Sequence, residues 1–324
     1  MTATTDSWRD TVVTQVRLEA EGVVSLTLAA ADGRPLPSWE AGAHIDVRLP
    51  SGTVRQYSLC GAPDAAAYTV AVLREENGRG GSAEIHDTAF VGRTLPIRGP
   101  RNHFPLRSAE HHVLVAGGIG ITPVLALARE ASRRGDSWEL HYGGRSAASM
   151  AFTHEVRGLG GQISLVEGRP LDLASIVSRA PSGAAVYACG PAGLLTALRK
   201  LCTDTGTTLY TEQFTADPTA RTAPDTAPDV SGAAESESFE VELARTGATV
   251  TVEPGTSILD AVRTVCPDVL SSCEEGFCGT CETKVLAGKP THADSILNER
   301  EREVSASMMI CVGGCASRRL VLDL

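Results

Sequence analysis

The sequence has no long hydrophobic run, no charged segment leading into an apolar one at its start, and no excess of basic residues. Its longest apolar stretches, such as residues 113–116, are far shorter than the roughly 20 residues of a membrane-spanning helix. Residues 1–6 lack the pattern of a signal peptide, and a net charge of −10 argues against nucleic acid as a partner. We therefore expect a cytoplasmic protein that binds neither membrane nor nucleic acid, with a monomer as the default state.

A disulfide framework is also not expected. The chain has nine cysteines, but an odd count without a secretory segment favours metal ligation and free thiols in a reducing compartment. With 42% hydrophobic and 21% charged residues, the composition is that of an ordinary globular protein. A length of 324 residues allows two or three domains.

Four cysteines have the spacing with which plant-type ferredoxins hold a [2Fe–2S] cluster, C-x4-C-x2-C followed much later by a fourth. The predicted ligands are Cys273, Cys278, Cys281 and Cys311. Gly276 and Gly279 let backbone N–H groups approach the cluster sulfurs. A zinc knuckle or unrelated core cysteines are the alternatives, but structural zinc sites usually pair two C-x2-C units or add histidines. Cys315 is a competing candidate for the fourth ligand.

Residues 8–100 form a series of short strands with turn residues between them, which predicts an antiparallel barrel. Within one strand, Arg55, Tyr57 and Leu59 share a face, so that a guanidinium can bind phosphate and a ring can stack on a cofactor. A glycine loop follows and leads into a short helix with Ser82 as its expected N-cap, a favourable phosphate site. Taken alone, a tyrosine in a strand is more often a core residue and a glycine turn more often only a turn.

The middle of the chain predicts a doubly wound α/β domain. A buried strand at residues 112–116 precedes the glycine loop G-G-I-G-I-T-P at 117–123, in which Thr122 is the expected N-cap of a helix that ends near Gly135. Further strands are predicted at 138–142, 162–166, 185–189 and 208–212, with a helix at 192–202. The loop is not a true G-x-G-x-x-G, so a tight crossover remains an alternative to a nucleotide site. C-G-P at 189–191 repeats the pattern of small residues at a strand end.

Residues 215–238 are rich in alanine, proline, threonine and acids, which predicts a flexible tether with a span on the order of 25–30 Å. After it, residues 239–252 alternate as a hairpin does, and a helix at 258–262 precedes the cluster loop.

In this order the motifs resemble those of the phthalate dioxygenase reductase family, which includes the vanillate demethylase reductases. The resemblance rests on R-x-Y-S at 55–58, G-G-S at 80–82, the loops at 117–123 and 189–191, Glu212-x-Phe214 and the four cysteines. It implies a flavin-binding antiparallel β-barrel at 1–108, an NAD-binding α/β domain at 109–214, a linker at 215–238 and a plant-type ferredoxin domain of β-grasp fold at 239–324. Reductases of the methane monooxygenase type have the ferredoxin first.

The resemblance also implies which residues form the sites. Arg55 and Ser82 would hold the flavin phosphate, Tyr57 and Ser58 would contact the ring, and Phe214 would cover it. The implied flavin residues are Arg55, Tyr57, Ser58, Leu59, Val72, Gly80, Gly81, Ser82 and Phe214. The implied nucleotide residues are Gly118, Thr122, Arg145, Ser146, Cys189, Gly190 and Pro191. The residues expected to take part in catalysis are Tyr57, Ser58, Cys189 and Phe214.

The predicted function is that of an oxygenase reductase, which passes a hydride from NADH to FMN and single electrons through the cluster to a Rieske-type oxygenase. A cytochrome P450 or another acceptor is the first alternative, and a non-enzymatic redox sensor is the second. No acidic residue ends the strand at 138–142 to bind a ribose hydroxyl, and Arg145 is able to accept a 2′-phosphate. The family mostly uses NADH, which favours NADH here.

Overall fold

The computed structural model divides the chain into two compact units, Met1–Gln213 and Phe214–Leu324. The described residues are 7–76, 80–214, 238–271, 274, 276, 279–294, 296–297 and 299–324. The predicted tether at 215–238 lies outside the described residues except for its last position. The predicted domain boundaries stay predictions, and the barrel and the α/β sheet fall in one compact unit.

The first unit begins with six antiparallel strands that close into a barrel. The elements are β1 (Arg9–Ala20), β2 (Val23–Ala30), β3 (Ala43–Arg48), β4 (Val54–Ser58), β5 (Tyr68–Leu73), α1 (Gly81–Thr88) and β6 (Thr94–Asn102). The strand order is β4-β3-β6-β1-β2-β5, and a bridge between Leu59 and Val70 joins the two outer strands. At the same seam, the backbone N–H of Cys60 donates to the carbonyl oxygen of Thr69 at 2.9 Å. The predicted antiparallel barrel is confirmed.

Aliphatic side chains from most of these strands fill the barrel and fix the position of β4. The largest of the fully buried ones include Leu26, Leu28, Ile45, Leu59, Leu95 and Ile97. Complete burial of such a side chain stabilises the fold by about 1.5–3 kcal/mol relative to exposure. The strand that carries the predicted flavin residues is therefore part of a rigid wall.

Helix α1 begins differently from the prediction. Its N-cap is Gly80, whose φ of 81° lies in the left-handed region, and Gly81 is the first helical residue. The Ser82 hydroxyl instead accepts a hydrogen bond from the backbone N–H of Glu75 at 3.0 Å. The prediction of Ser82 as N-cap was wrong, because a left-handed glycine makes the turn two positions earlier and leaves Ser82 to anchor the preceding loop.

The second half of this unit is a parallel sheet covered by helices. Its elements are β7 (His111–Gly117), α2 (Ile121–Arg134), β8 (Trp138–Gly144), α3 (Thr153–Arg157), β9 (Gln162–Glu167), α4 (Leu173–Arg179), β10 (Ala184–Cys189), α5 (Ala192–Thr205) and β11 (Thr208–Glu212). The strand order β11-β10-β7-β8-β9 is doubly wound, as predicted. The order reverses between β7 and β10, where such sheets bind ligands beyond the strand ends. No helix of the described residues is long and apolar enough to cross a membrane.

Helix α2 also begins without the predicted cap. Gly118–Gly120 form a 3-10 turn that continues directly into the helix, and Gly120 is the N-cap. The Thr122 hydroxyl donates to the carbonyl oxygen of Ile119 at 3.0 Å, so its prediction as N-cap was wrong. The predicted end is confirmed, because Gly135 terminates the helix in the left-handed conformation.

Polar contacts join the barrel to the parallel sheet within this unit. Arg129 on α2 donates to the carbonyl oxygens of Cys60 and, at 3.2 Å, Gly61, which directly follow β4. The hydroxyl of Tyr187 on β10 accepts a hydrogen bond from the backbone N–H of Arg107 at 2.8 Å. The end of β4 is thereby held near the carboxyl ends of the parallel strands.

The second unit is a mixed sheet with a short helix packed on it. Its elements are β12 (Phe239–Leu243), β13 (Thr249–Val252), α6 (Ile258–Arg263), β14 (Glu282–Ala287), β15 (Pro290–Thr291), α7 (Glu299–Val304), β16 (Ser307–Met309), β17 (Gly314–Cys315) and β18 (Arg319–Leu322). The main sheet has the order β13-β12-β18-β14-β16, and β12 pairs with β13 as the predicted hairpin. The Ser257 hydroxyl caps α6 by accepting from the backbone N–H of Asp260 at 3.0 Å. The predicted ferredoxin fold is confirmed.

Candidate functional site

A phosphate-binding corner forms where β4 meets the start of α1. A Cβ added to Gly81 would lie 2.7 Å from both Cγ and Nε of Arg55, so glycine lets the arginine lie directly on the helix start. The Arg55 guanidinium is oriented by donating to the carbonyl oxygen of Val54 at 2.8 Å. A helix N-terminus and a guanidinium together suit a phosphate group. The residues Arg55, Gly81 and Ser82 therefore fit the phosphate end of a flavin nucleotide.

The next residues of β4 form the wall on which a flavin ring would rest. Tyr57 is half-buried, and burial raises the pKa of its phenol above the usual range, so the hydroxyl stays neutral. Leu59 and Val72, also predicted to bind the flavin, have side chains fully enclosed in the barrel core. Any contact they make with a ligand would come from the backbone, and their assignment stays a prediction.

Beside β4 lies a largely buried acid, Glu212, which the sequence analysis did not assign to the site. The Ser58 hydroxyl donates to Oε2 of Glu212, the last residue of β11, at 3.3 Å. Burial raises the pKa of Glu212 to about 8, against a smaller lowering by the Ser58 hydrogen bond. Cys189 pairs with Glu212 in the β10–β11 register, and burial, followed by the nearby Glu212, raises the pKa of its thiol well above the usual value.

Both groups are therefore neutral near pH 7. Only the motif Glu212-x-Phe214 at the end of the last parallel strand drew attention to this acid from the sequence. Phe214 itself is half-buried, and its predicted position over the flavin stays a prediction.

The two predicted nucleotide loops lie side by side at the carboxyl ends of β7 and β10. A Cβ on Gly120 would lie 2.2 Å from the carbonyl oxygen of Cys189, and one on Gly117 would lie 2.8 Å from Cδ of Pro191. Only glycine permits this approach of the two loops. Gly118 has a φ of 55° and open space at its Cβ position, so its backbone is accessible to a ligand at the switch point.

Other predicted nucleotide residues differ in exposure. Thr122 is buried beside this loop, whereas Arg145 is exposed after β8. Ser146 accepts from the backbone N–H of Ser149 at 3.3 Å and caps the short turn there. Because β8 is the neighbour of β7, Arg145 and Ser146 lie at the same edge of the sheet as Gly118, and their contacts with a nucleotide stay predictions.

In the second unit, two predicted cluster ligands are neighbours. The Sγ atoms of Cys281 and Cys311 are 3.1 Å apart, far beyond the roughly 2.05 Å of a disulfide bond. Both are buried, because the pairing of β14 with β16 brings the residue before one strand next to the residues after the other. Two buried thiols at this separation fit ligands of one metal centre. The other two predicted ligands, Cys273 and Cys278, lie outside the described residues.

The cluster loop is held from two sides. Gly276 has a φ of 75°, and a Cβ there would lie 2.6 Å from Cγ2 of Val312 and 3.1 Å from Cα of Asp294. Arg263 on α6 binds Glu274 of the same loop. The thiol of Cys315 points elsewhere and donates to the carbonyl oxygen of Ser317 at 2.7 Å, which supports Cys311 as the fourth ligand.

Residues 241–313 match the model of the 2Fe-2S iron-sulfur cluster binding domain. The chain is 42% identical over 312 residues to a phenoxybenzoate dioxygenase subunit beta from Ectopseudomonas oleovorans, and the match covers 94% of each chain.

Two solved structures are similar to this chain along nearly its whole length. Phthalate dioxygenase reductase, described as a modular structure for electron transfer from pyridine nucleotides to [2Fe-2S], has 33% identity and a TM-score of 0.68, with 98% of each chain covered. An intact type IV self-sufficient cytochrome P450 monooxygenase has 40% identity and a TM-score of 0.85. That match covers 98% of this chain and 41% of the P450 chain.

Proposed function

Because the chain belongs to the family of oxygenase reductases that includes phthalate dioxygenase reductase, we propose that it carries electrons from NADH through FMN and a [2Fe–2S] cluster to a Rieske-type oxygenase. The chain is an oxidoreductase of this family with a flavin, a pyridine nucleotide and a 2Fe-2S cluster as its redox groups. The observation that best supports this electron path is the phosphate-binding corner at Arg55 and Gly81, which lies in the same compact unit as the nucleotide loops. A cytoplasmic, monomeric protein stays the prediction.

The order of the groups follows from electron counting. NADH gives up two electrons as a hydride, and a [2Fe–2S] cluster accepts one, so a flavin, which accepts two and releases them singly, belongs between them. Arg55 and the start of α1 would hold the flavin phosphate, and FMN is the flavin that the family resemblance implies. Tyr57 and Ser58 orient the ring edge, and the loop at Gly118 positions the nicotinamide at the end of the parallel sheet.

The same electron count indicates a role for Glu212 in proton transfer. A hydride brings one proton with its two electrons, and a cluster takes no proton, so one proton per NADH must leave the hydride-accepting site. The Ser58 hydroxyl donates to Glu212 Oε2, and an acid with a pKa of about 8 is matched to proton transfer near neutral pH. Glu212 in its carboxylate form, the minor form near pH 7, would take up this proton through Ser58, become the acid, and later release the proton to solvent.

A matched pair of cysteine substitutions tests the place of the cluster. Cys311→Ser replaces the thiol beside Cys281, whereas Cys315→Ser replaces one that is bonded elsewhere. In the first variant NADH still bleaches the flavin, but reduction of a protein acceptor collapses. The second retains both activities. Full acceptor reduction by Cys311→Ser would refute the order of the groups.

A cytochrome P450 is the second candidate acceptor, because a P450 monooxygenase contains a segment that matches 98% of this chain. The two candidates are separated by mixing the NADH-reduced protein anaerobically with a purified Rieske-type oxygenase or with a purified P450. We expect faster reduction of the Rieske centre. Faster reduction of the P450 heme than of the Rieske centre would show that the acceptor is a P450.

A further inference from the structure

A buried histidine faces the acid behind the flavin wall. His44 lies on β3, paired with Ser58 on β4 and with Arg101 on β6. Its Nδ1 is 3.8 Å from Oε1 of Glu212. Its Nε2 is buried and has no hydrogen-bond partner among the described residues. The imidazole is thus enclosed in the barrel wall with Glu212 in front of its other nitrogen.

The surroundings of His44 keep the imidazole neutral. Burial, followed by the nearby charge of Arg101 and by the stacked His103, lowers the pKa of His44 to about 3. Asp46 acts in the opposite direction, but its carboxylate binds Arg98 and Arg101, each at 2.7 Å. A cationic imidazole would favour the carboxylate form of a neighbouring acid, whereas a neutral one offers a lone pair to the acid form.

Among the described residues, the polar groups that face Glu212 come from three strands, and none of them is a cation. They are Ser58 from β4, His44 from β3 and Cys189 from β10. Ser58 donates to Oε2, so the acid form carries its proton on Oε1, the oxygen that faces the imidazole. The separation of 3.8 Å is longer than a hydrogen bond, and such bonds are often long in sites without their ligands.

We propose that His44 is a positioning residue, which as a neutral imidazole accepts from Oε1 and holds the Glu212 carboxyl in its acid form facing Ser58. The importance of this arrangement for turnover rests on the proposed role of Glu212 as proton carrier. Without the ring, water enters the pocket and the lone pair is lost, and both changes favour the carboxylate.

The acid dissociation constant of Glu212 is the quantity to measure, by infrared titration of the full-length, cofactor-loaded protein. The carbonyl band of the acid is assigned by its loss in Glu212→Gln. In His44→Ala, we expect the dissociation constant to rise about tenfold or more, so that the pKa of Glu212 falls by about one or more. In His44→Asn, whose amide oxygen replaces the Nδ1 lone pair, it stays within about threefold of the wild-type value.

His112→Ala is the matched control, because His112 is buried as well but contacts Asp136, at 3.3 Å, and not Glu212. It leaves the dissociation constant of Glu212 unchanged. If His44→Ala does not fold, His44→Ser removes the ring while keeping a polar side chain, and the same rise is expected. An unchanged constant in a folded ring-deletion variant overturns the proposal.

Failure of the proposed function gives a different result. If Glu212→Gln reoxidises its flavin at the wild-type rate at every pH, Glu212 does not carry the proton. The infrared shift in the His44 variants still decides whether His44 holds the acid form.

Discussion

In the proposed function, the pocket around Glu212 carries protons and the loop around Cys281 holds the cluster that carries electrons, and the two regions are built differently. The pocket collects buried, neutral polar side chains from strands far apart in the sequence. The cluster loop combines thiols that flank two neighbouring strands with a glycine backbone packed against Val312 and Asp294. A proton requires groups whose pKa values are tuned by burial, whereas electron transfer requires a rigid metal site and no acid.

The largest effect is expected where the cluster loop is packed most tightly. Gly276→Ala places a methyl group 2.6 Å from Val312 at a φ of 75°, so the loop must move, and we expect the cluster content to fall severely. Gly255→Ala is the control, because its φ of 83° is equally unfavourable but no atom lies within 4 Å. Iron analysis and the visible spectrum measure the difference. Equal iron content in the two variants would show that the loop does not depend on this packing.

The next largest effect is expected on FMN binding at the phosphate corner. Arg55→Gln removes a charge-assisted contact worth roughly 1.5–3 kcal/mol, so FMN should bind roughly 10- to 150-fold more weakly. Arg74→Gln is the control. It removes an exposed arginine that pairs with Asp87 on α1, and it should change the affinity for FMN little. Fluorescence titration of the apoprotein with FMN measures both. Similar affinities for the two variants would place the phosphate elsewhere.

A pH-dependent effect tests whether Glu212 is an acid whose pKa is raised by burial. The pKa of folded Glu212, about 8, lies above its ordinary value of 4.5. Its contribution to stability is therefore fully present below pH 4.5 and is lost as the pH rises toward 8. Glu212→Gln lacks this loss, so its melting temperature relative to that of the wild type should increase as the pH rises. Parallel melting curves across this pH range would contradict a buried acid with a raised pKa.

The smallest effect is expected on the stability of the second unit, without a change in its cluster. Ser257→Ala removes the cap of α6 and should lower the free energy of unfolding of this unit by about 1 kcal/mol, without loss of iron. The exposed Ser178→Ala, whose hydroxyl donates only to the carbonyl oxygen of Ser175, should change stability by less than about 0.5 kcal/mol. Denaturant unfolding measures both. Iron loss in Ser257→Ala would mean that the cap also supports the cluster.

The same contrast explains what sequence reasoning was able to predict. The cluster motif is local, and three of its cysteines lie within one short loop, so spacing alone indicates the metal site. The buried strand at 112–116 and the glycine loop after it likewise predicted the parallel sheet. Glu212 and His44 were missed as site residues because their contact depends on the pairing of β3 with β4 and on the packing of two sheets, which no local pattern records.

The errors at the helix starts have a related cause. Ser82 and Thr122 are good N-cap residues by type, and both follow glycines. In the structure Gly80 and Gly120 occupy the cap positions, because the preceding glycine turns run directly into the helices. The type of a residue indicates that a cap is near, but the dihedral angles of the preceding turn decide where the helix begins.

Anaerobic titration with NADH tests the central claim that two electrons enter together and leave singly. The wild-type protein should take up three electrons, two on the flavin and one on the cluster, which requires about one and a half NADH per chain. Cys311→Ser should be complete after about one NADH, with no signal of a reduced cluster in the electron paramagnetic resonance spectrum. The same uptake in both proteins would contradict the account.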